Sequence, residues 1–131
     1  MYIKEKILIA EISSSAKKKI IKLLKILDYD YKIVDNGLAA IFALKISNYN
    51  LIILNSEMPV LNGIETFQKI KENFDAPKSE IPIVIMENKD SDSNMKNEYS
   101  KIGFDGYISK PMTLQDLGEL TRGFFYSEED E

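Results

Sequence analysis

The sequence contains no cysteine and no histidine. The first absence excludes disulfides and thiolate chemistry, and the second removes the commonest general base and metal ligand at neutral pH. Zinc sites, Ser-His-Asp triads and Cys-His pairs therefore cannot be built from this chain alone. Positive charge is in deficit, with 17 Lys and Arg against 21 Asp and Glu and a net charge of −4. A face that binds phosphodiesters is strongly basic, so nucleic acid is not an expected partner. No stretch nears the ~20 apolar residues of a membrane helix. The opening Met1-Tyr2-Ile3-Lys4-Glu5-Lys6 is charged and lacks a long apolar run, so no signal peptide is expected and a cytoplasmic location is. What is present is a chain of 131 residues, the length of one domain with a core of its own.

Short apolar runs alternate with stretches of helical period. Lys6-Ile7-Leu8-Ile9-Ala10 is too brief for a buried helix and reads as a strand. Ser13, Ser14 and Ser15 offer N-caps for a helix with Ala16, Ile20, Leu23, Leu24 and Leu27 on one face and five lysines on the other. Residues 31–34 make a second strand, and Asp35-Asn36-Gly37 breaks the chain before a helix over 38–46. The third strand spans 50–54; its four successive aliphatics suit a parallel sheet covered on both faces. A helix over 64–74, a strand over 81–86, a weak helix anchored by Met95, Tyr99 and Ile102, and a strand over 105–109 follow. Thr113 caps a last helix through Leu114, Leu117 and Leu120.

Five strands alternating with five helices predict an α/β fold: a flavodoxin-like, doubly wound, five-stranded parallel sheet of order 2-1-3-4-5. The functional crevice of such a sheet lies at the carboxyl ends of its strands. The residues leaving those ends are Glu11 and Ile12, Asn55 to Glu57, Glu87 and Asn88, and Lys110. One domain over 1–126 is expected, with 127–131 as an acidic tail or the start of a linker.

Three segments sit on those strand ends in order: Leu51-Ile52-Ile53-Leu54-Asn55-Ser56-Glu57-Met58-Pro59 with Asn62-Gly63 after it, Ile81-Pro82-Ile83-Val84, and Gly103-Phe104-Asp105-Gly106-Tyr107-Ile108-Ser109-Lys110-Pro111. Together they resemble the receiver domain of bacterial two-component response regulators, over nearly the whole chain. The resemblance implies an acidic pair that helps hold Mg²⁺, an Asp that accepts a phosphoryl group, a Thr or Ser ending the fourth strand, a switch aromatic on the fifth, and a Lys before Pro. Carried over, these positions hold Glu11 with Ile12, Asn55, Glu87, Tyr107, and Lys110 with Pro111. The aromatic and the Lys-Pro pair are intact; the rest depart.

The departures have chemical consequences. An acyl phosphate forms on an anionic carboxylate oxygen, and the Asn55 amide is neutral. Mg²⁺ prefers hard oxygen ligands with one or two carboxylates, whereas Ile12 supplies none and Asn55 one neutral oxygen. An ionised Glu87 only accepts hydrogen bonds and repels a phosphate. The pocket Glu11, Ile12, Asn55, Glu57, Glu87 and Lys110 is thus expected to be a degenerate phosphoacceptor site with no resident cofactor or catalytic residue. A residual divalent-cation site on Glu11 and Glu57, with Glu87 beside them, is the weaker alternative. Lys110 is expected to pair with Glu87, with Glu11 as its other candidate partner.

The second helix carries a further signal. Leu38, Ala40, Ile41 and Leu44 suffice for an inward stripe, which leaves Ala39, Phe42, Ala43 and Ile46 outward with almost no polar residue among them. Surface helices normally show a charged face, so these four mark a candidate interface with a protein partner or a second copy. The expected function is that of a non-enzymatic receiver-like signalling domain that works by phosphorylation-independent protein contact. Two other readings stay open on the sequence: a working Mg²⁺-dependent phosphoacceptor, and a flavodoxin-like cofactor binder using Ser13, Ser14 and Ser15 as a phosphate loop.

Overall fold

A computed structural model describes residues 3–88 and 94–126. Its strands are β1 (Lys6–Ala10), β2 (Asp30–Val34), β3 (Leu51–Asn55), β4 (Ile83–Asn88) and β5 (Gly106–Lys110). They alternate with helices α1 (Ser14–Ile26), α2 (Gly37–Ile46), α3 (Gly63–Asn73), α4 (Met95–Ile102) and α5 (Leu114–Phe125). All pairings are parallel, and the order is β2-β1-β3-β4-β5, as expected. Residues 89–93 and 127–131, which hold most of the polar lead-in to α4 and the acidic tail, lie outside the described residues.

The sheet divides the core in two because side chains alternate across a strand. Leu8, Ala10, Ile52, Leu54, Ile83 and Ile85 face α2, α3 and α4, where they meet Ala40, Leu44, Phe67, Ile70, Tyr99 and Phe104. Ile7, Ile9, Leu51, Ile53, Val84, Met86 and Ile108 face α1 and α5, against Ile20, Leu24 and Leu117. Every residue of β3 is buried, and burying each aliphatic side chain contributes roughly 1.5–3 kcal/mol. Phe124 and Phe125, at the end of α5, pack back on this second layer, and Phe125 meets Tyr29 edge-on at 5.2 Å.

Caps fix where the helices begin. Ser13 Oγ accepts from the Ala16 amide, so the first of the three serines starts α1. Asn62 with Glu65, and Thr113 with Asp116, form complete capping boxes on α3 and α5. Gly63 is required by close approach. A Cβ there would lie 2.6 Å from Ile85 Cδ1 and 2.8 Å from the Asn55 carbonyl oxygen, so only glycine lets α3 start against the end of β3. Between them the chain turns sharply at Val60 (φ 73°), with Leu61 N–H donating to the Pro59 carbonyl in a γ-turn.

The inward face of α2 differs from the expected one by an exchange. Ala43 is buried at 5% exposure, whereas Leu38 is 43% exposed. At about 100° per residue, Ala43 falls beside Ala40, and Leu38 falls beside Phe42 and Lys45. Ala43 therefore leaves the candidate interface. Phe42 (59% exposed) and Ile46 (84%) remain outward, and Ala39 is half-buried.

Candidate functional site

The carboxyl ends of β1, β3, β4 and β5 carry two hydrogen-bonded networks, one on each face of the sheet. Glu11 directly follows β1 and is only 1% exposed. Its Oε1 accepts from Lys110 Nζ at 2.7 Å. Its Oε2 accepts from the Ser13 amide at 3.1 Å and from Asn55 Nδ2 at 3.4 Å. Asn55, at the end of β3 and buried, donates a second time from Nδ2, to the Glu57 carbonyl at 2.8 Å. Both groups facing that nitrogen can only accept, which fixes the amide with its NH₂ toward them.

The second network centres on Glu87, buried near the end of β4. Its Oε1 accepts from Ser56 Oγ at 2.7 Å and from the Asn88 amide at 3.2 Å. Its Oε2 accepts from the Tyr99 hydroxyl at 2.6 Å. Burial, reinforced by the hydrogen bond to Glu87 and its charge, pushes the Tyr99 phenol well above the usual value. The sequence marks Tyr99 only as an apolar anchor of α4, and nothing in its spacing signals the hydroxyl contact to Glu87.

Lys110 therefore pairs with Glu11, and the expected Lys110–Glu87 pair is not formed. Register explains this correction. Glu87 lies beside Ser109 and Asn88 beside Lys110, so Glu87 and Lys110 are out of phase in the pleat. Glu11, Asn55 and Lys110 continue the layer that faces α1 and α5. Ser56 and Glu87 continue the layer that faces α2, α3 and α4. The remaining pocket residues bring no side chain to either network among the described residues. Ile12 is 49% exposed, and Glu57 enters through its carbonyl while its residue is exposed. Tyr107 is half-buried on β5, its ring 6.2 Å from that of Tyr99. Ser13, the first serine of the candidate phosphate loop, is engaged by its hydroxyl as the N-cap of α1.

The sequence profile named Response regulator receiver domain matches residues 7–122. The chain belongs to that family. Among its curated relatives, the transcriptional regulatory protein CrdR of Helicobacter pylori is 26% identical over 121 residues, covering 92% of this chain and 55% of the relative. Histidine kinase 5 of Arabidopsis thaliana is 27% identical over 128 residues, covering 79% of this chain and 14% of the relative. The receiver thus spans about half or less of these relatives. In structure it is similar to the receiver domain of a sensor histidine kinase from Pseudomonas aeruginosa PAO1, which was crystallised with a magnesium ion in its active-site cleft. The TM-score is 0.83 at 21% identity, over 95% of this chain and 100% of that one. Chemotaxis protein CheY4 of Vibrio cholerae gives 0.81 at 19% identity, over 94% and 100% of the two chains.

The Mg²⁺ that the family implies can be tested against this receiver's own donors. The Glu11 carboxylate is already neutralised by an ammonium, and the second residue of the acidic pair is an exposed isoleucine. The Asn55 NH₂ points its protons at the carboxylate and carbonyl oxygens that a cation would need. Among the described residues, no group of three or more carboxylates gathers to hold a metal, so the Glu11, Glu57 and Glu87 cluster is not assembled. The donor set does not match a hard divalent cation. As a receiver the domain is a signalling module, and no helix among the described residues is long and apolar enough to cross a membrane.

Proposed function

We propose that this receiver is a pseudo-receiver: it forms no acyl phosphate and signals through phosphorylation-independent contact with a protein partner or a second copy. The observation that carries this reading is the Asn55 amide. It stands where the family places its acceptor Asp, and its NH₂ is donated to Glu11 and to the Glu57 carbonyl. An amide whose nitrogen lone pair is delocalised is no nucleophile toward phosphorus, and this one is also held in place. Lys110, the cation that the family directs at a phosphoryl group, is committed to Glu11.

Conversion of Asn55 to Asp by deamidation is opposed by the same geometry. The Ser56 backbone nitrogen would have to attack the Asn55 side chain, yet it donates to the Met86 carbonyl at 2.9 Å. Residues 1–126 act as the signalling unit in this reading, and the outward face of α2 around Phe42 and Ile46, with Ala39 at its edge, is the contact surface. The test is incubation of the full chain with acetyl phosphate and Mg²⁺, read by intact mass. No phosphoryl adduct is expected; a stoichiometric adduct in the pocket overturns the proposal.

A further inference from the structure

Glu87 is the residue that least suits a phosphate-accepting pocket, and it is also among the most completely engaged. At 7% exposure its carboxylate takes a hydroxyl on each oxygen, Ser56 at 2.7 Å and Tyr99 at 2.6 Å. Hydrogen bonds from hydroxyls to an ionised oxygen are short and strong, and these lie in the expected range. The two donors come from different parts of the fold. Ser56 opens the turn that follows Asn55, while Tyr99 belongs to α4. A single carboxylate on β4 thus ties the turn after β3 to a helix packed on the same face of the sheet.

That tie matters because, among the described residues, α4 buries little else. Tyr99 is its only buried residue. Met95 is half-buried and Ile102 is 39% exposed. The Tyr99 ring, at 4% exposure, packs edge-on to Phe104 at 5.5 Å and lies beside Tyr107 at 6.2 Å. The residue that anchors α4 is therefore also the one that meets Glu87 and borders the half-buried aromatic of β5.

We propose that Glu87 is a built-in anionic brace that permanently fixes α4 and the turn after β3 relative to one another, so that the α4–β5 surface beside Tyr107 is presented in one arrangement. The polarity of the position is inverted relative to the family. There, a hydroxyl on residue 87 would donate to a transferred phosphoryl oxygen; here residue 87 supplies the anionic oxygens, and the hydroxyls of Ser56 and Tyr99 donate to it. The proposal deepens the reading of a receiver that signals without phosphate and rests on it for its meaning in signalling. Its geometry and its test do not involve Asn55 chemistry.

Amide hydrogen exchange of the full chain, with no phosphodonor present, tests the brace in wild type, Tyr99→Phe and Glu87→Gln. Tyr99→Phe keeps the ring and removes one donor; Glu87→Gln keeps the shape and removes the charge. In Tyr99→Phe the amides of α4 should exchange roughly tenfold faster or more, the scale of losing a hydrogen bond to a charged group, while those of α1 and α3 stay unchanged. Glu87→Gln should accelerate α4 by a smaller factor. Exchange in α4 within about twofold of wild type in both variants overturns the brace, and so does equal acceleration of every helix, which would mark a general loss of stability. A phosphoryl adduct on the wild-type chain would overturn the proposed function and leave this result standing. Unchanged exchange in α4 would do the reverse.

Discussion

Lys110 Nζ lies 2.7 Å from Glu11 Oε1, in an ion pair whose acidic partner is 1% exposed and whose basic partner is 19% exposed. A carboxylate buried to that degree is costly unless a cation and further donors satisfy it, and Ser13 and Asn55 provide those donors. Lys110→Met should therefore destabilise the fold by roughly 2–4 kcal/mol at neutral pH, since it strands a buried anion. Urea denaturation checks this. A loss under about 0.5 kcal/mol would show that the pair is no more than a surface contact.

Restoring the family's acceptor residue should not restore its chemistry. Asn55→Asp places a second carboxylate against Glu11, removes both hydrogen bonds of the amide, and leaves Ile12 and Glu87 as they are. The expected result is a less stable protein, by about 1–3 kcal/mol, that still gains no phosphoryl group from acetyl phosphate at the rate of an ordinary receiver. Denaturation and intact mass report the two halves separately. Phosphorylation of the single variant at an ordinary rate would contradict the account of the pocket.

Phe42→Glu and Ala43→Glu should part company, although the residues are adjacent. Phe42 is 59% exposed with Lys45 over its ring at 5.4 Å, and Ala43 is 5% exposed. The first variant should stay within about 0.5 kcal/mol of wild type and weaken self-association or partner capture. The second should lose several times as much stability, since it buries a charge. Sedimentation and thermal denaturation of the pair make the comparison. Unchanged association and partner capture in folded Phe42→Glu would remove α2 as an interface.

Tyr99 should make stability fall at alkaline pH. Its folded pKa is raised above the ordinary 10.0, so below that value both folded and unfolded states hold the proton and stability is constant. Above it the unfolded state loses the proton first, and stability declines as pH rises. Of the 7 tyrosines, Tyr99 should ionise among the last in an ultraviolet titration. Tyr99→Phe should flatten the alkaline decline in urea midpoint above pH ~10. An unchanged slope would mean that the phenol titrates normally.

The architecture was legible because local signals agreed with one another. The apolar run Leu51-Ile52-Ile53-Leu54 could only be a central strand, and Ser13 and Thr113 cap helices that the periodicity had already placed. Strand limits moved by a residue or two. Asp105, expected inside β5, instead ties its backbone and side chain to Ile83 at the start of β4, and the ladder begins at Gly106. The site was legible as a set of positions but not as a set of partners. The order of strands and turns places Glu11, Glu87 and Lys110 at strand ends; only the register of β4 against β5 reveals that Glu87 and Lys110 belong to opposite pleats. Tyr99 is hidden for another reason: apolar spacing on α4 accounts for its ring, and its hydroxyl contact depends on the reach of Glu87, which spacing does not show.

The central relationship is the amide of Asn55, standing where the family implies an acceptor Asp, against a Glu11 carboxylate that the ammonium of Lys110 already holds. The side-chain NH₂ resonances of Asn55 observe that arrangement directly. In a titration of the full chain with Mg²⁺ and then acetyl phosphate, these resonances and the Lys110 ammonium should stay at their starting positions. A saturable shift of the Asn55 NH₂ on adding Mg²⁺, followed by a new set of pocket signals with acetyl phosphate, would contradict it.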